Sequence, residues 1–395
     1  MKIGIIKHLI PGPNASVINT LKLAQGFFEL GHEVEILAIE EFKQTKWKFR
    51  IKNVHDFFNI DYRIKIKYFK GSLLFYFRRS KFMLPIINFL LLFPKLFDFL
   101  DPEIKISKYC KKNNFELVIC RDTFRAALNN IINKIPTVID LHGYKNIWEM
   151  KDVLKLKNSK YFKGFMVLNN FIKRKLINVG FLENKIKVMD NAINLKLFDG
   201  INEDKLSLRK KLNLPLNKTL ILYTGAINID RGIDVVLNAA NILNKEKFSF
   251  YFIGSRKKRI KIWKKFIKTN NIQADITFLT VQPFKVIPYY LKAADILLAT
   301  FSSNCPTLEF MSPVKIFEYM ASKRPFIATN IGRNSEICSN NECLFTNVDD
   351  PIDLSKKIKK LTKDKDLREK LINNAYKKAK EHTFNERCKI ILDLL

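Results

Sequence analysis

Lys315 and Glu318 form the most informative chemical pair in this 395-residue chain. They fall in Ser312-Pro313-Val314-Lys315-Ile316-Phe317-Glu318-Tyr319-Met320-Ala321. There Ile316 and Met320, with Phe317 and Ala321, mark the core-facing side of a helix. Ser312 is expected as its N-cap and Pro313 as its first residue, where the missing N–H costs nothing. Pro325 stops the helix, and Phe326 to Thr329 reads as a short buried strand. One ammonium and one carboxylate therefore project together from another face. Alone, they amount to a surface pair worth a few tenths of a kcal/mol. A ligand role needs partners elsewhere.

Such partners recur where strands end. Thr219 to Thr224 reads as a strand followed by Gly225, and Arg231-Gly232 opens a helix from Ile233. Backbone N–H groups at a helix start, with one arginine, can hold a diphosphate. The chain lacks Gly-x4-Gly-Lys-[Ser/Thr], which argues against a P-loop ATPase. Phe248 to Ile253 is another strand, ending in Gly254, and Ile135 to Leu141 runs into His142-Gly143. A lone histidine is more often structural, but one closing a parallel strand sits at the ligand edge and is a candidate. The first turn offers only Gly12, where a dinucleotide fingerprint would need three glycines. Gly12 suits a small backbone-lined pocket for an acceptor or for a donor's phosphate.

The elements that must position these residues repeat a simple pattern. Lys2 to Ile6 is a strand and Ser16 to Leu30 a helix with Val17, Leu21, Ala24 and Phe28 at helical spacing. Glu33 to Ala38 is the next strand. Strand, turn, helix, strand implies a parallel sheet with ligands at the strands' C-terminal ends. After a polar stretch between Asn191 and Lys218 the pattern restarts, which divides the chain into an N-terminal domain (1–195), a C-terminal domain (196–375) and a last helix (376–395) able to pack back on the first. Two such halves place ligand between facing strand ends.

Composition bounds the partners. Hydrophobic residues make up 47%, too many for disorder, and 70 Lys+Arg against 38 Asp+Glu give a formal charge of +32. That excess favours anionic partners, an acidic membrane surface among them, although lysines are spread along the whole length. A nucleic-acid role would rest on charge alone and explains none of the ordered motifs. The six cysteines form no CxxC or Cys/His metal pattern and suit a reducing cytoplasm. The segment from Met1 to His8 reads as a strand, not a signal peptide. The uncharged run from Phe82 to Pro94 is too short and too broken by proline to span a bilayer. Residues 70–100 mix aromatics with cations, as core helices or an interfacial segment would.

In this order the motifs resemble the GT-B retaining glycosyltransferases of family 4, the group 1 transferases. Gly31-His32-Glu33-Val34, Leu141-His142-Gly143, Lys185 to Phe198, Leu222 to Ala239 and Ser312 to Thr329 carry the resemblance, with Gly332 to Ile337 following. The resemblance implies an α/β GT-B fold: two Rossmann-like domains whose parallel sheets face a central cleft. It implies transfer from a nucleotide-sugar donor, without metal or other cofactor. Glu318 matches the glutamate that holds the ribose hydroxyls, Arg231 the base that holds the diphosphate, and His142 a histidine lining the sugar pocket. Lys315 would add to phosphate binding. Ala226 stands where the family often has arginine, and Phe310 where it has a second glutamate eight residues before Glu318. Sugar recognition then falls to Glu309, one residue off register, or to backbone around Thr307.

These readings converge on a cytoplasmic or inner-face peripheral retaining hexosyltransferase that builds surface polysaccharide or glycolipid. It would take a UDP- or GDP-sugar and a saccharide or lipid-linked acceptor, by front-face displacement assisted by the diphosphate. The rivals are a GT-B sugar-nucleotide epimerase, which turns over donor without acceptor, and an inactive nucleotide-sugar-binding subunit.

Overall fold

The computed structural model describes residues 1–8, 15–40, 53–70, 101–143 and 152–395. Gly12 and nearly all of residues 70–100 lie outside these. The chain forms two compact units, Met1–Asp190 with Phe384–Leu395, and Asn191–Thr383.

The first unit is built on a sheet of strands β1 (Lys2–His8), β2 (Glu33–Glu40), β3 (Lys65–Lys70), β4 (Leu117–Arg121), β5 (Thr137–Leu141), β6 (Phe162–Val167) and β7 (Ile186–Val188). Their order is β3-β2-β1-β4-β5-β6-β7, and every pairing is parallel. Parallel sheets are covered on both faces, which is why β4 and β5 are apolar-rich and buried at every position. The order reverses between β1 and β4, the place where such sheets bind ligands. The last helix, Phe384–Leu392, packs on Ala15–Glu29. Gly26 permits the close approach, since a Cβ there would lie 2.9 Å from Cys388 Sγ and 3.1 Å from Phe384 O.

The second unit has strands β8 (Thr219–Thr224), β9 (Phe248–Ser255), β10 (Ile276–Thr280), β11 (Ile296–Ala299), β12 (Phe326–Thr329) and β13 (Leu344–Thr346). They are ordered β10-β9-β8-β11-β12-β13, again all parallel. Side chains alternate across β8: Leu220 and Leu222 join the core under Val314–Ala321, while Ile221 and Tyr223 join the core under Ile233–Ile242. The order reverses between β8 and β11.

Three details differ from the sequence expectation. The helix is Val314–Ala321 with Pro313 at its cap position, and Ser312 does not cap it. Ser312 is held by Asn191 instead, whose backbone N–H donates to Ser312 Oγ at 2.8 Å while its side-chain amide donates to Ser312 O. The first boundary falls at Asp190/Asn191, because Ile193 N donates to His382 O at 2.7 Å within the second unit. The second expected boundary, 375/376, falls inside the helix Lys365–Glu381, which packs on Val314–Ala321 and keeps the second unit continuous to Thr383. Among the described residues no helix is long and apolar enough to cross a membrane.

Candidate functional site

In the second unit the ends of β8 and β9 meet as two glycines. Gly225 and Gly254 have φ of 113° and 112°, and a Cβ on Gly254 would sit 3.2 Å from Gly225 N. Any side chain at Gly254 would be strained and would press on the neighbouring turn. The chain then runs through Ile229–Arg231, a short 3₁₀ turn, to Gly232. Thr300 Oγ1 donates to Arg231 O at 2.9 Å, and Phe301 N donates to Thr329 Oγ1 at 3.0 Å. The Arg231 loop and the Phe301 ring are thus pinned to the ends of β11 and β12.

Two cations share that ring. The Arg231 guanidinium carbon lies 5.0 Å, and Lys315 Nζ 5.6 Å, from the Phe301 centroid. Lys315 Nζ lies 3.6 Å from the Tyr223 centroid and 3.7 Å from where a Gly225 Cβ would be. Although the Lys315 side chain is only half-buried, its ammonium is out of reach of solvent and has no hydrogen-bond acceptor among the described residues. Arg231 contacts the Asp230 carboxylate at 3.5 Å and the sulfurs of Cys305 and Met311 at 3.9 Å. Burial, then repulsion from Arg231, pushes the Lys315 pKa well below its usual value, while Glu318 and Asp230 pull the other way. A buried cation without an acceptor is unfavourable unless an anion completes it. Glu318, one helical turn on, is pushed up to about 7 by burial, against the opposing charge of Lys315. Opposed shifts on neighbouring groups are typical of functional sites.

The helix carrying both is fixed by Tyr319, which sequence reasoning passed over as core. Its buried hydroxyl accepts from Thr224 N at 3.1 Å and donates to Leu298 O at 3.2 Å. Tyr223 and Phe301, also missed, supply the rings that face the cations. Each was disguised as an ordinary apolar strand or loop residue, and no signal in the sequence separates them from core.

The loop before the helix places Thr307 against the same sulfurs: Thr307 Oγ1 is 3.4 Å from Cys305 Sγ and 3.5 Å from Met311 Sδ. Glu309 is exposed, and no side-chain polar contact of it is found among the described residues. Gly12 lies outside the described residues. A cavity of 420 Å³ lined by Lys205, Arg209, Lys218, Asp295, Arg324 and Arg368 lies at the opposite, N-terminal ends of the strands. Its arginines close helix ends: Arg209 donates to Ala293 O at 2.9 Å, Arg324 to Lys292 O at 2.8 Å and Arg368 to Leu361 O at 2.6 Å.

His142 belongs to the first unit, within a buried ionic cluster. Arg121 donates to His142 Nδ1 at 3.0 Å, which leaves the proton on Nε2, facing the Asp140 carboxylate at 3.0 and 3.1 Å. Arg121 and Arg387 pair with opposite oxygens of Asp140, at 3.3 and 2.6 Å. Burial, with repulsion from Arg121, lowers the His142 pKa to about 4. Burial pushes Asp140 up, but His142, Arg387 and Arg121 outweigh it and hold the carboxyl well below the usual range. Both ring nitrogens of His142 are thus engaged, and the imidazole is neutral. Arg387 reaches Asp140 from 247 residues away, a partner no local motif could reveal.

Residues 204–378 match the family model described as glycosyl transferases group 1. The chain carries a glycosyltransferase group 1 domain. It is 27% identical over 268 residues to the uncharacterized glycosyltransferase MJ1178 of Methanocaldococcus jannaschii, covering 67% of this chain and 68% of that protein. It is 26% identical over 159 residues to Bacillus subtilis TuaC, a glycosyltransferase assigned by name to teichuronic acid biosynthesis. That match covers 40% of this chain and 36% of TuaC. The crystal structure of Anabaena HepE in complex with UDP superimposes with a TM-score of 0.74 at 15% identity, covering 100% of both chains. The two parallel-sheet units are accordingly those of the GT-B glycosyltransferase fold.

Proposed function

We propose that the chain transfers a hexose from a UDP- or GDP-sugar to a hydroxyl of a saccharide or lipid-linked acceptor, with retention at the anomeric carbon, in the assembly of a surface polysaccharide or glycolipid. The observation that carries the reading is the Lys315 ammonium, buried without an acceptor beside Gly225 and Arg231. A diphosphate would complete that arrangement. HepE, crystallised with UDP and with UDP-glucose, supports a nucleotide-sugar donor, and TuaC supports a polysaccharide product.

The chemistry follows from charge. As the bond from C1 to the diphosphate oxygen breaks, its electron pair goes to the leaving phosphate. Arg231 and Lys315 stabilise that charge most when it is fully developed. The acceptor oxygen bonds to C1 on the same face, and its proton passes to the departing phosphate oxygen. Glu318 accepts hydrogen bonds from the ribose hydroxyls, a task for the ionised carboxylate. No resident metal or cofactor is required in this scheme. His142, with both nitrogens engaged, is not available as a base. A panel of UDP- and GDP-sugars with saccharide and lipid-linked acceptors tests the proposal. Acceptor-dependent release of UDP or GDP, with an anomer matching the donor, is expected. Donor turnover without acceptor would favour an epimerase, and binding without release an inactive subunit.

A further inference from the structure

The helix Lys257–Thr269 connects β9 to the edge strand β10, and its two faces have opposite characters. Its inner face is committed to the fold: Trp263 is buried and donates to Ile227 O at 2.7 Å, while Ile260, Phe266 and Ile267 pack against the same core. Its outer face carries Lys257, Lys258, Lys261, Lys264, Lys265 and Lys268, all exposed. At 3.6 residues per turn these six fall within an arc of about 120° opposite Trp263, along a helix about 20 Å long. The segment from Arg256 to Thr269 contains no acidic residue. None of the six lysines has an ion pair or side-chain hydrogen bond among the described residues. Ile262, 49% exposed, lies at the margin of this cationic face.

A fold gains nothing from six like charges in one row, since neighbours at i,i+4 repel. We infer that this face is a docking surface for an anionic lipid bilayer. A straight row of lysines, each a compact point charge on a flexible stem, matches a plane of headgroups without requiring a shaped partner. The one exposed large apolar side chain can enter the headgroup layer. Single-stranded nucleic acid fits less well, because stacking platforms need exposed aromatics, and here Trp263 is buried and Phe266 packs inward. The inference goes beyond the donor site and does not depend on it, since none of the six lysines belongs to the Gly225, Arg231 and Lys315 constellation.

The test compares the full-length protein with two variants of equal charge loss. One carries Lys258→Gln, Lys261→Gln, Lys265→Gln and Lys268→Gln. The other carries Lys356→Gln, Lys359→Gln, Lys360→Gln and Lys363→Gln on another lysine-rich helix. Co-sedimentation uses phosphatidylcholine vesicles with and without phosphatidylserine, over a salt series. Wild type and the second variant are expected to bind only the phosphatidylserine vesicles, and less as salt rises. The first variant should bind at least about 100-fold more weakly, given roughly fivefold per lysine near an anionic surface. Equal loss in both variants, retained binding in the first, or binding to phosphatidylcholine alone would overturn the assignment. So would duplex DNA held by wild type as tightly as vesicles at the same salt and lost with the same substitutions. A raised donor KM with unchanged vesicle binding would also overturn it, since the lysines would then serve the donor.

Discussion

Replacing Lys315 with methionine should lower activity and raise stability together. In the unliganded protein the ammonium is buried without an acceptor, 3.6 Å from the Tyr223 centroid. Leaving such a donor unsatisfied costs about 1–3 kcal/mol, which the substitution relieves. The lost cation–π contact is worth about 0.5–2 kcal/mol. A methionine sulfur over the same ring restores about 0.3–1.5 kcal/mol of that. The net is a gain of about 1 kcal/mol, or about 2–4 °C in Tm for a unit of this size. Catalysis moves the other way, because removing one donor to a developing anion lowers kcat by about 10²–10³-fold. The pH dependence supplies an independent check. The folded-state pKa of Lys315 lies well below 10.5, so between the two values the unfolded chain binds the extra proton. This group therefore makes stability rise with pH up to about 10.5, and Lys315→Met should flatten that rise. Urea melts across pH, with nucleotide release on the best donor, measure both halves. A variant that loses stability yet keeps its rate would show the ammonium to be structural and refute the reasoning.

Three further perturbations follow from the same geometry. Glu318 has a folded pKa of about 7 against an ordinary 4.5, so the folded state binds the extra proton in that interval and stability falls as pH rises through it. Glu318→Gln should remove that fall in urea melts and raise donor KM in steady-state kinetics. Asp140→Asn leaves Arg121 and Arg387 buried without their carboxylate, and should destabilise the first unit by about 3–5 kcal/mol in equilibrium unfolding. Gly254→Ala, at φ 112° with its Cβ 3.2 Å from Gly225 N, should cost about 1–3 kcal/mol and weaken nucleotide binding by calorimetry.

The sheets were legible because buried parallel strands announce themselves as short apolar runs between turns and helices. The glycines ending β8 and β9, and the pairing of Lys315 with Glu318, stood out because few residue types suit those positions. The surroundings of Lys315 did not. Tyr223, Phe301 and Tyr319 look like core in any one-dimensional reading, and only the fold turns their rings and hydroxyl toward the cations. Ser312 had the chemistry of an N-cap, but Asn191, distant in sequence, claimed it. His142 looked free at a strand end, whereas Arg121, Asp140 and the remote Arg387 occupy its nitrogens. Local signals report what a residue can do, and long-range partners decide whether it is available to do it.

The central claim is that Gly225, Arg231 and Lys315 hold the diphosphate of a nucleotide sugar. Calorimetric titration of wild type and Lys315→Met with UDP, GDP and the parent nucleosides tests it most directly. One diphosphate should bind wild type more tightly than its nucleoside does. The variant should lose most of that affinity, while binding of the matching nucleoside is unchanged. Equal affinity of both proteins for the diphosphate would contradict the account.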